Sequence, residues 1–299
     1  MKYLLTGFSG FIGSHLTDRL LQEGHEVIGI DRSIKFGNIP EKHPNLRMYH
    51  DNIFGNVSDL FKGVDVVFHM AALTRPQWSI EHPLETDQAN VHGTVQVLEH
   101  CVKNKVKRIV LLSTSAVYGE QYVYPTYEGL QPNPMNPYSL TKLIDEHYCK
   151  LFHKLYGLEF NAIRPFNVYG SRMPVTGIYT SAVATFINAL KKDIPFKMFG
   201  DGEQRRDFIY VDDVIDQLVV MAHSEVHGEV FNCGSGTNTS INELLQLIRK
   251  IMGKEIEPER IEKQFEPSQT LADIRKAKAL LNWEPKISLE EGLRRTING

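Results

Sequence analysis

The sequence predicts an α/β fold in which a doubly wound parallel sheet carries a smaller C-terminal lobe. Short apolar segments alternate with amphipathic helical segments as far as Phe166, and such alternation is typical of a parallel sheet covered on both faces by helices. A glycine-spaced turn joins the first strand to the first helix, and an acidic residue, Asp31, ends the second strand. Beyond Phe166 the regular alternation breaks, which indicates the lobe.

The first strand–helix–strand unit ends at Asp31. Lys2–Thr6 is predicted as a buried strand, residues 14–23 as a helix and residues 26–30 as the second strand. The turn between strand and helix consists of Gly7, Phe8, Ser9, Gly10, Phe11, Ile12 and Gly13. Its glycines permit a tight turn, a close approach of pyrophosphate to the backbone, and close packing of helix on sheet. The unit is therefore predicted to be a Rossmann dinucleotide-binding unit, with the helix N-terminus facing the phosphates.

Asp31 indicates which dinucleotide is bound. Its carboxylate can accept hydrogen bonds from both hydroxyls of an adenosine ribose, and its charge would repel a 2′-phosphate. We therefore predict NAD as the cofactor, although Arg32 beside the acid is compatible with NADP.

Two further strand ends are candidate cofactor contacts. Asp51, Asn52 and Ile53 follow a predicted strand over residues 47–50, where an acid with an apolar neighbour can hold an adenine amino group. An ordinary strand-end turn explains these three residues equally well. Met70, Ala71 and Ala72 follow a predicted strand over residues 64–69, and they are small enough for a cofactor to lie across them.

The remaining elements complete the prediction. Helices are expected over residues 88–105, 138–156, 180–191, 214–222, 242–252 and 272–281, and strands over 106–113, 159–164, 196–199 and 230–233, with a loop over 167–177. Residues 1–170 are predicted to form the dinucleotide-binding domain, to which 207–233 return. Residues 171–299 are predicted to form the smaller lobe, which supplies the other wall of a cleft.

Composition excludes several classes of protein. A net charge of −3 and 42% apolar residues give no reason to expect nucleic acid as a partner, and no apolar run approaches the ~20 residues of a membrane span. The chain starts on a predicted core strand, so we expect no signal peptide. Three widely spaced cysteines, Cys101, Cys149 and Cys233, indicate reduced thiols and a cytoplasmic protein. Because no HExxH or paired-cysteine motif occurs, we predict no metal.

Tyr138 and Lys142 form a candidate catalytic pair. Their spacing of four places both side chains on one face of a predicted helix. A free tyrosine with a pKa near ~10 is a poor base, but a lysine cation and a positive nicotinamide ring favour the phenolate and should lower that pKa towards working pH. Thr114, at the end of the preceding strand, can bind the same substrate hydroxyl. Such pairs often decorate helix surfaces by chance, but a dinucleotide site upstream favours the catalytic interpretation.

The sequence resembles the extended short-chain dehydrogenases/reductases, in particular their NAD-dependent nucleotide-sugar epimerase/dehydratase group, over nearly the whole chain. The motifs that carry the resemblance are GFSGFIG at 7–13, HMAA at 69–72, STSAVYG at 113–119, NPYSLTK at 136–142, RPFNVYG at 164–170, GDGEQRRDFIYVDD at 200–213 and NCGSGTNTSINEL at 232–244.

The resemblance implies roles for particular residues. Tyr138 would be the general base, Lys142 would bind the nicotinamide ribose, and Thr114 would assist at the substrate hydroxyl. It also implies cofactor contacts at Asn90, Ser113 and Pro165, and substrate contacts at Thr74, Ser115, Asn167, Phe199 and Arg206. Asn167 and Arg206 resemble the residues that hold the sugar nucleotide's diphosphate; the alternatives are a turn-stabilising amide and a surface charge. The family further suggests a homodimer, built from the helices near 88–105 and 138–156.

Departures from the family pattern narrow the expected activity. Dehydratases carry Asp-Glu directly after the strand-end threonine and decarboxylating members keep a Glu, whereas this chain has Ser115 and Ala116. The missing acid points to epimerisation at C4 of a UDP-hexose, UDP-glucose/UDP-galactose or a near relative. The alternatives are a uronate epimerase, a dehydratase, a reductase and a non-catalytic NAD(H) sensor.

Two segments bear on substrate binding. Where members often place an arginine on the diphosphate, this chain has Lys263-Gln264-Phe265; Lys263 could substitute, or the diphosphate is held less tightly. The choice of sugar is expected to depend on Arg75, Trp78, Thr180 and Phe199.

Overall fold

The computed structural model describes residues 1–175, 181–262 and 266–299. Its centre is a sheet of seven strands. In chain order they are β1 (Lys2–Thr6), β2 (Glu26–Asp31), β3 (Leu46–His50), β4 (Val66–His69), β5 (Arg108–Leu112), β6 (Glu159–Pro165) and β7 (Glu229–Cys233).

The strand order is β3–β2–β1–β4–β5–β6–β7, and every neighbouring pair is parallel. The chain begins at β1, winds outwards to β3, and then crosses back to β4 on the other side of β1. Ligands of doubly wound sheets bind outside the carboxyl ends of the strands at this reversal. The predicted fold class is therefore confirmed, including the return of β7 to the main sheet.

Helices cover both faces of the sheet. The α-helices in the described part of the chain are α1 (Phe11–Gln22), α2 (Pro76–Glu81), α3 (Pro83–Asp87), α4 (Gly93–Lys103), α5 (Pro137–Tyr156), α6 (Ala182–Lys192), α7 (Val211–His223), α8 (Ile241–Met252), α9 (Arg275–Leu281) and α10 (Leu289–Asn298). On one face, α1 and α7 bury Leu16, Leu20, Val214 and Leu218 in one core cluster. On the other, α4 and α5 bury Val97, Leu98, Cys149 and Phe152 in a second.

The part of the chain after β6 packs on the first of these clusters, which also contains Phe186 of α6, Leu244 of α8 and Leu293 of α10. Short strand pairs lie between these helices: Asn167–Tyr169 with Phe208–Tyr210, Arg205–Arg206 with Thr239–Ser240, and Lys197–Phe199 with Glu259–Ile261. In the described part of the chain, no helix is both long and apolar enough to cross a membrane.

Several predicted elements need correction. The loop predicted over 167–177 begins instead with the strand Asn167–Tyr169, which is stabilised by a partner some forty residues away and so has no local signature. The helix predicted over 88–105 starts with a π-helical turn, Gln88–His92, before α4. The helix predicted from residue 272 begins at Arg275, because Ala272 forms a β-bridge with Thr126. The helices α2, α3 and α10 were not predicted, although α2 and α3 each begin with proline, a residue favoured at that position.

Candidate active site

A cleft of about 550 Å³ opens at the carboxyl ends of the strands around the reversal of strand order. Most residues predicted to contact the cofactor line it: Gly7, Gly10, Phe11, Ile12, Gly13, Asp31, Arg32, Asp51, Asn52, Ile53, Met70, Ala71, Ala72, Ser113, Tyr138 and Pro165. Thr74 and Thr114, predicted to contact substrate, line it as well. The cleft also includes residues that the sequence analysis missed, among them Ser33, Lys35, Phe54, Phe166 and Val168. Ser33 and Lys35 closely follow Asp31 at the end of β2, and their nearness in sequence to this predicted cofactor contact could have identified them.

The glycine turn leaves no room for side chains. A Cβ atom on Gly7, whose φ is +72°, would lie 2.9 Å from the backbone nitrogen of Ala71, and one on Gly13 would lie 2.2 Å from the Gly7 carbonyl oxygen. Gly10 is the N-cap of α1 and offers no side chain to the N–H groups of the first turn. Those groups therefore remain available to an anion, and the backbone is open to close approach, as a dinucleotide pyrophosphate requires.

Asp31 is held in place by hydrogen bonds from its own neighbourhood. Ser9 donates to its Oδ2 through the hydroxyl at 2.9 Å and through the backbone N–H at 3.3 Å, and the Ser33 N–H donates to Oδ1 at 3.1 Å. Ser9 is fully buried, so its side chain orients Asp31 and does not line the cleft. Phe8 is likewise buried: a Cβ atom on Gly29 would lie 2.4 Å from its ring, so the Phe8 side chain belongs to the core.

His69 fixes the end of β4. Its Nδ1 lies 2.7 Å from the Thr6 hydroxyl and its Nε2 lies 3.0 Å from the Thr94 hydroxyl. Complete burial lowers the pKa of His69 to about 3, so the ring is neutral at physiological pH. Thr6 also accepts hydrogen bonds from the N–H groups of Met70 and Ala71. The floor of the cleft after β4 is therefore held by side chains from three elements.

The start of α5 places Tyr138 at the cleft. Asn136 caps the helix by accepting a hydrogen bond from the Ser139 N–H at 2.9 Å, and Pro137 occupies the first helical position. The Tyr138 N–H donates to the Ser79 hydroxyl at 3.1 Å, which ties this first turn to α2. The NPYS sequence thus begins the helix at Pro137 and places the expected base, Tyr138, in its first turn.

The pKa of Tyr138 differs in direction from the sequence-based expectation. Burial raises the pKa, and this outweighs the Lys142 charge and the hydrogen bond with Thr114, both of which lower it. The expected lowering is therefore wrong for the protein chain by itself. A positive nicotinamide ring would be a further lowering influence.

Lys142 makes a contact that the sequence analysis missed. Its ammonium donates to Oδ2 of Asp145 at 2.8 Å, and both side chains are buried, at 2% and 0% exposed. Burial lowers the pKa of Lys142, but the Asp145 carboxylate more than offsets that effect and the pKa stands above its ordinary value. The sequence could have predicted this ion pair, since an acid three residues after the lysine lies on the same face of the helix.

A second buried network joins β5, α5 and β6. The Ser113 hydroxyl donates to Oε1 of Glu146 at 2.6 Å, while Arg164 donates to both Glu146 oxygens, at 2.9 and 2.7 Å. Because Ser113 immediately precedes Thr114, this network fixes the strand end that carries the predicted catalytic threonine.

Asn90 also bridges separate elements. It is buried and hydrogen-bonds both the N–H and the carbonyl of Leu73, and Thr141 of α5, without lining the cleft.

Neither of the predicted diphosphate-binding residues lines this cleft. Asn167 follows Phe166, a cleft residue, and its amide donates to the Asp207 carbonyl at 3.1 Å and the Thr270 hydroxyl at 3.2 Å. Arg206 is mostly buried and pairs with Glu266 at 3.0 Å.

The other residues expected to contact or select the sugar are dispersed. Ser115 begins a 3₁₀ turn, Phe199 ends a short strand, Arg75 is an exposed N-cap of α2, and Trp78 stacks on His82 with ring centroids 4.3 Å apart. Thr180 and Lys263 lie outside the described residues.

A metal site is not evident in the part of the chain that the structure describes, where no three His, Cys, Asp or Glu side chains come together. The cysteines Cys101, Cys149 and Cys233 are buried free thiols.

Comparison with known proteins gives consistent matches. The model of the NAD dependent epimerase/dehydratase family matches residues 3–234. A putative UDP-glucose 4-epimerase of Methanocaldococcus jannaschii is 36% identical over 302 residues, which cover 99% of this chain and 97% of the relative.

Solved structures agree with the sequence matches. The UDP-N-acetylglucosamine 4-epimerase of Methanobrevibacter ruminantium M1, in complex with UDP-N-acetylmuramic acid, has a TM-score of 0.96 at 32% identity, covering 99% of this chain and 97% of that one. The UDP-glucuronic acid 4-epimerase of Bacillus cereus, in complex with UDP-glucuronic acid and NAD, has a TM-score of 0.92 at 36% identity, covering 100% and 98%. The names of these three relatives all include a UDP-sugar, but the sugar differs from one relative to the next.

Proposed function

Because the chain belongs to the NAD dependent epimerase/dehydratase family and is an enzyme with NAD as its cofactor, we propose that it epimerises a UDP-sugar at C4. The proposed substrate pair is UDP-glucose and UDP-galactose. One observation carries the reaction type: Thr114 and Tyr138 share the cleft, while Ser115 and Ala116 stand where a carboxylate would serve elimination or decarboxylation.

The residues of the cleft suit NAD. The side-chain-free turn at Gly7, Gly10 and Gly13 leaves the backbone N–H groups of α1 for the pyrophosphate, and the oriented Asp31 carboxylate suits the adenosine ribose. When bound, NAD would supply the acceptor for the hydride that leaves C4 and the donor that returns it.

In the proposed mechanism, Tyr138 handles the proton. Its phenolate accepts the proton of the 4-hydroxyl, and the Thr114 hydroxyl orients that oxygen. The Lys142 ammonium stabilises the phenolate electrostatically, against the effect of burial. A transient 4-keto sugar then turns over, held mainly through its diphosphate. Tyr138 returns the proton to the oxygen, so the protonation state of Tyr138 is restored at the end of each cycle.

Arg206 and Asn167 are proposed to hold the diphosphate. A guanidinium presents five donors in a planar fork that matches phosphate oxygens, so Arg206 can engage the diphosphate from its place beside Glu266. Lys263 is proposed to assist. Arg206 and Lys263 lie in residues 171–299, which would form the sugar-nucleotide lobe. Asn167 lies in residues 1–170, which together with 207–233 would form the NAD-binding domain.

UDP-glucuronate is the second candidate substrate, favoured by the 36% identity to the Bacillus cereus UDP-glucuronic acid 4-epimerase. In that case the same residues would act on the 4-hydroxyl of a sugar oxidised at C6.

Product analysis tests the proposal. Purified protein is incubated, without added cofactor, with UDP-glucose, UDP-galactose, UDP-glucuronate or UDP-N-acetylglucosamine, and the sugar ring is followed by NMR. Interconversion of C4 epimers without net NADH is expected. A keto or decarboxylated product would contradict epimerisation. The Tyr138→Phe variant should retain NAD and lose turnover, and wild-type turnover in that variant would exclude Tyr138 as the base.

We also propose a homodimer. On α5, Leu140, Leu151, Leu155 and Tyr156 are between 46% and 59% exposed, and apolar helix surface of this kind suits a helical interface. Sedimentation should give a dimer at micromolar concentration, and a Leu151→Glu/Leu155→Lys variant should shift it to monomer. A monomeric wild type would refute the assembly.

A further inference from the structure

Lys142 and Asp145 form an ion pair on the buried face of α5. The ammonium and the carboxylate lie 2.8 Å apart in a site where both side chains are buried. Removing two charges from water is unfavourable, and their attraction repays that loss only when the geometry and additional hydrogen bonds are good. Such a pair is therefore weak evidence for stability, and a role in the chemistry is the more economical explanation.

Groups from neighbouring elements support the charged form of the pair. Burial raises the pKa of the Asp145 carboxyl, whereas the Lys142 charge and the nearby Thr94 hydroxyl of α4 lower it. Thr94 in turn contacts His69 of β4, whose ring is neutral. Neither residue brings a charge that competes with Asp145 for the ammonium of Lys142.

The remaining titratable neighbours lie on α5 itself. The Glu146 carboxylate is already paired with Arg164. Burial raises the pKa of Cys149 well above its ordinary value, so this thiol is neutral. Tyr138 is neutral until it acts as a base, because burial raises its pKa. Asp145 is therefore the carboxylate that supplies the counter-charge for Lys142.

We propose that Asp145 is a positioning residue for the proposed epimerisation: its carboxylate keeps the Lys142 ammonium charged and oriented at a depth where a lone lysine would be the neutral amine. This inference rests on the proposed function. A neutral amine would give the Tyr138 phenolate no electrostatic stabilisation, so the base would be lost with the charge. Asp145 also opposes phenolate formation directly, but this influence on the pKa of Tyr138 is smaller than the lowering by the Lys142 charge that Asp145 maintains.

The first test is a pH profile. In Asp145→Asn, burial of an unpaired Lys142 should lower the pKa of its ammonium, so activity should be lost at lower pH on the alkaline side. We expect that limb to move down by about three pH units, a shift of the size documented for buried lysines, which gives a loss of at least about tenfold near pH 9, with substantial recovery in Asp145→Glu. A profile that coincides with wild type would overturn the proposal.

Asp213→Asn is the matched control. Asp213 is also a buried helical carboxylate, but it accepts hydrogen bonds from the N–H groups of Lys286 and Ile287, at 2.9 and 3.0 Å, outside the cleft. This variant should lower the melting temperature and leave the pH profile in place. An equal shift in both variants would mean that the effect is general destabilisation, which would also overturn the proposal.

A measurement without turnover separates this inference from the proposed function. In the cofactor-free protein, Lys142→Met leaves Asp145 buried and unpaired and should lower the melting temperature. Adding Asp145→Asn should restore part of that loss. Strictly additive effects would refute the coupling even in an active enzyme. Clear coupling in a protein that converts no UDP-sugar would refute the proposed function and leave the ion pair established.

Discussion

Replacing Glu146 by Gln should lower the melting temperature of the protein by several degrees, because the replacement leaves Arg164 buried without a full counter-charge. The Arg164 side chain is 4% exposed and donates to both Glu146 oxygens. Removing one partner of such a pair costs about 3–5 kcal/mol, and the lower end applies here because the Gln carbonyl can still accept one hydrogen bond. For 299 residues the unfolding entropy is ~0.6 kcal/mol/K, so about 3 kcal/mol corresponds to a fall in Tm of about 5 °C.

Thermal unfolding followed by circular dichroism at neutral pH measures this loss. A double variant, Glu146→Leu with Arg164→Met, is the control, because it removes both charges and should be less destabilised than Glu146→Gln. If Glu146→Gln melts within about 1 °C of wild type, the buried pair does not hold β5 and β6 to α5 as the geometry indicates.

Three further predictions concern the cofactor and the base. Gly13→Ala places a Cβ atom 2.2 Å from the Gly7 carbonyl oxygen, so the purified variant should contain far less NAD; an undiminished NAD content would contradict the close packing. Asp31→Ala removes the charge that repels a 2′-phosphate and leaves Arg32 in the cleft, so the NADP/NAD affinity ratio measured by calorimetry should rise at least about tenfold; an unchanged ratio would refute this. Turnover should rise with pH between about pH 6 and 9, because the base is a phenolate and burial raises the pKa of Tyr138; a flat profile would exclude that base.

The parts of the fold that could be predicted have local causes. The glycine turn and the start of α5 each lie within a short stretch and are required by backbone geometry: a positive φ at Gly7, a close approach at Gly13 and a capped helix start at Asn136. The acid at the end of β2 is equally local, since it follows directly from the predicted strand. The order of the central strands follows because alternating strands and helices in a parallel sheet allow few topologies.

The parts that could not be predicted depend on partners distant in sequence. The strand Asn167–Tyr169 is defined by Phe208–Tyr210, and neither segment has a pattern of its own. The role of Glu146 becomes visible only when β5 and β6 bring Ser113 and Arg164 to it. For the protein chain by itself, the expected lowering of the Tyr138 pKa is wrong, because the spacing of Tyr138 and Lys142 indicates a nearby charge but not the depth of burial, and burial has the larger effect.

The contacts around the cleft divide the residues proposed for proton transfer from those proposed to bind the sugar nucleotide. Thr114 and Tyr138 belong to the ends of β5 and α5, which are fixed by the central sheet and its buried networks. The residues proposed to hold the diphosphate are fixed instead by a later segment: Asn167 bonds Thr270, and Arg206 pairs with Glu266. That segment lies beyond residue 234, where the family match ends. The proton transfer proposed for Tyr138 and the diphosphate binding proposed for Asn167 and Arg206 would thus depend on different parts of the chain, so that substrate choice could change while the surroundings of Tyr138 stay constant.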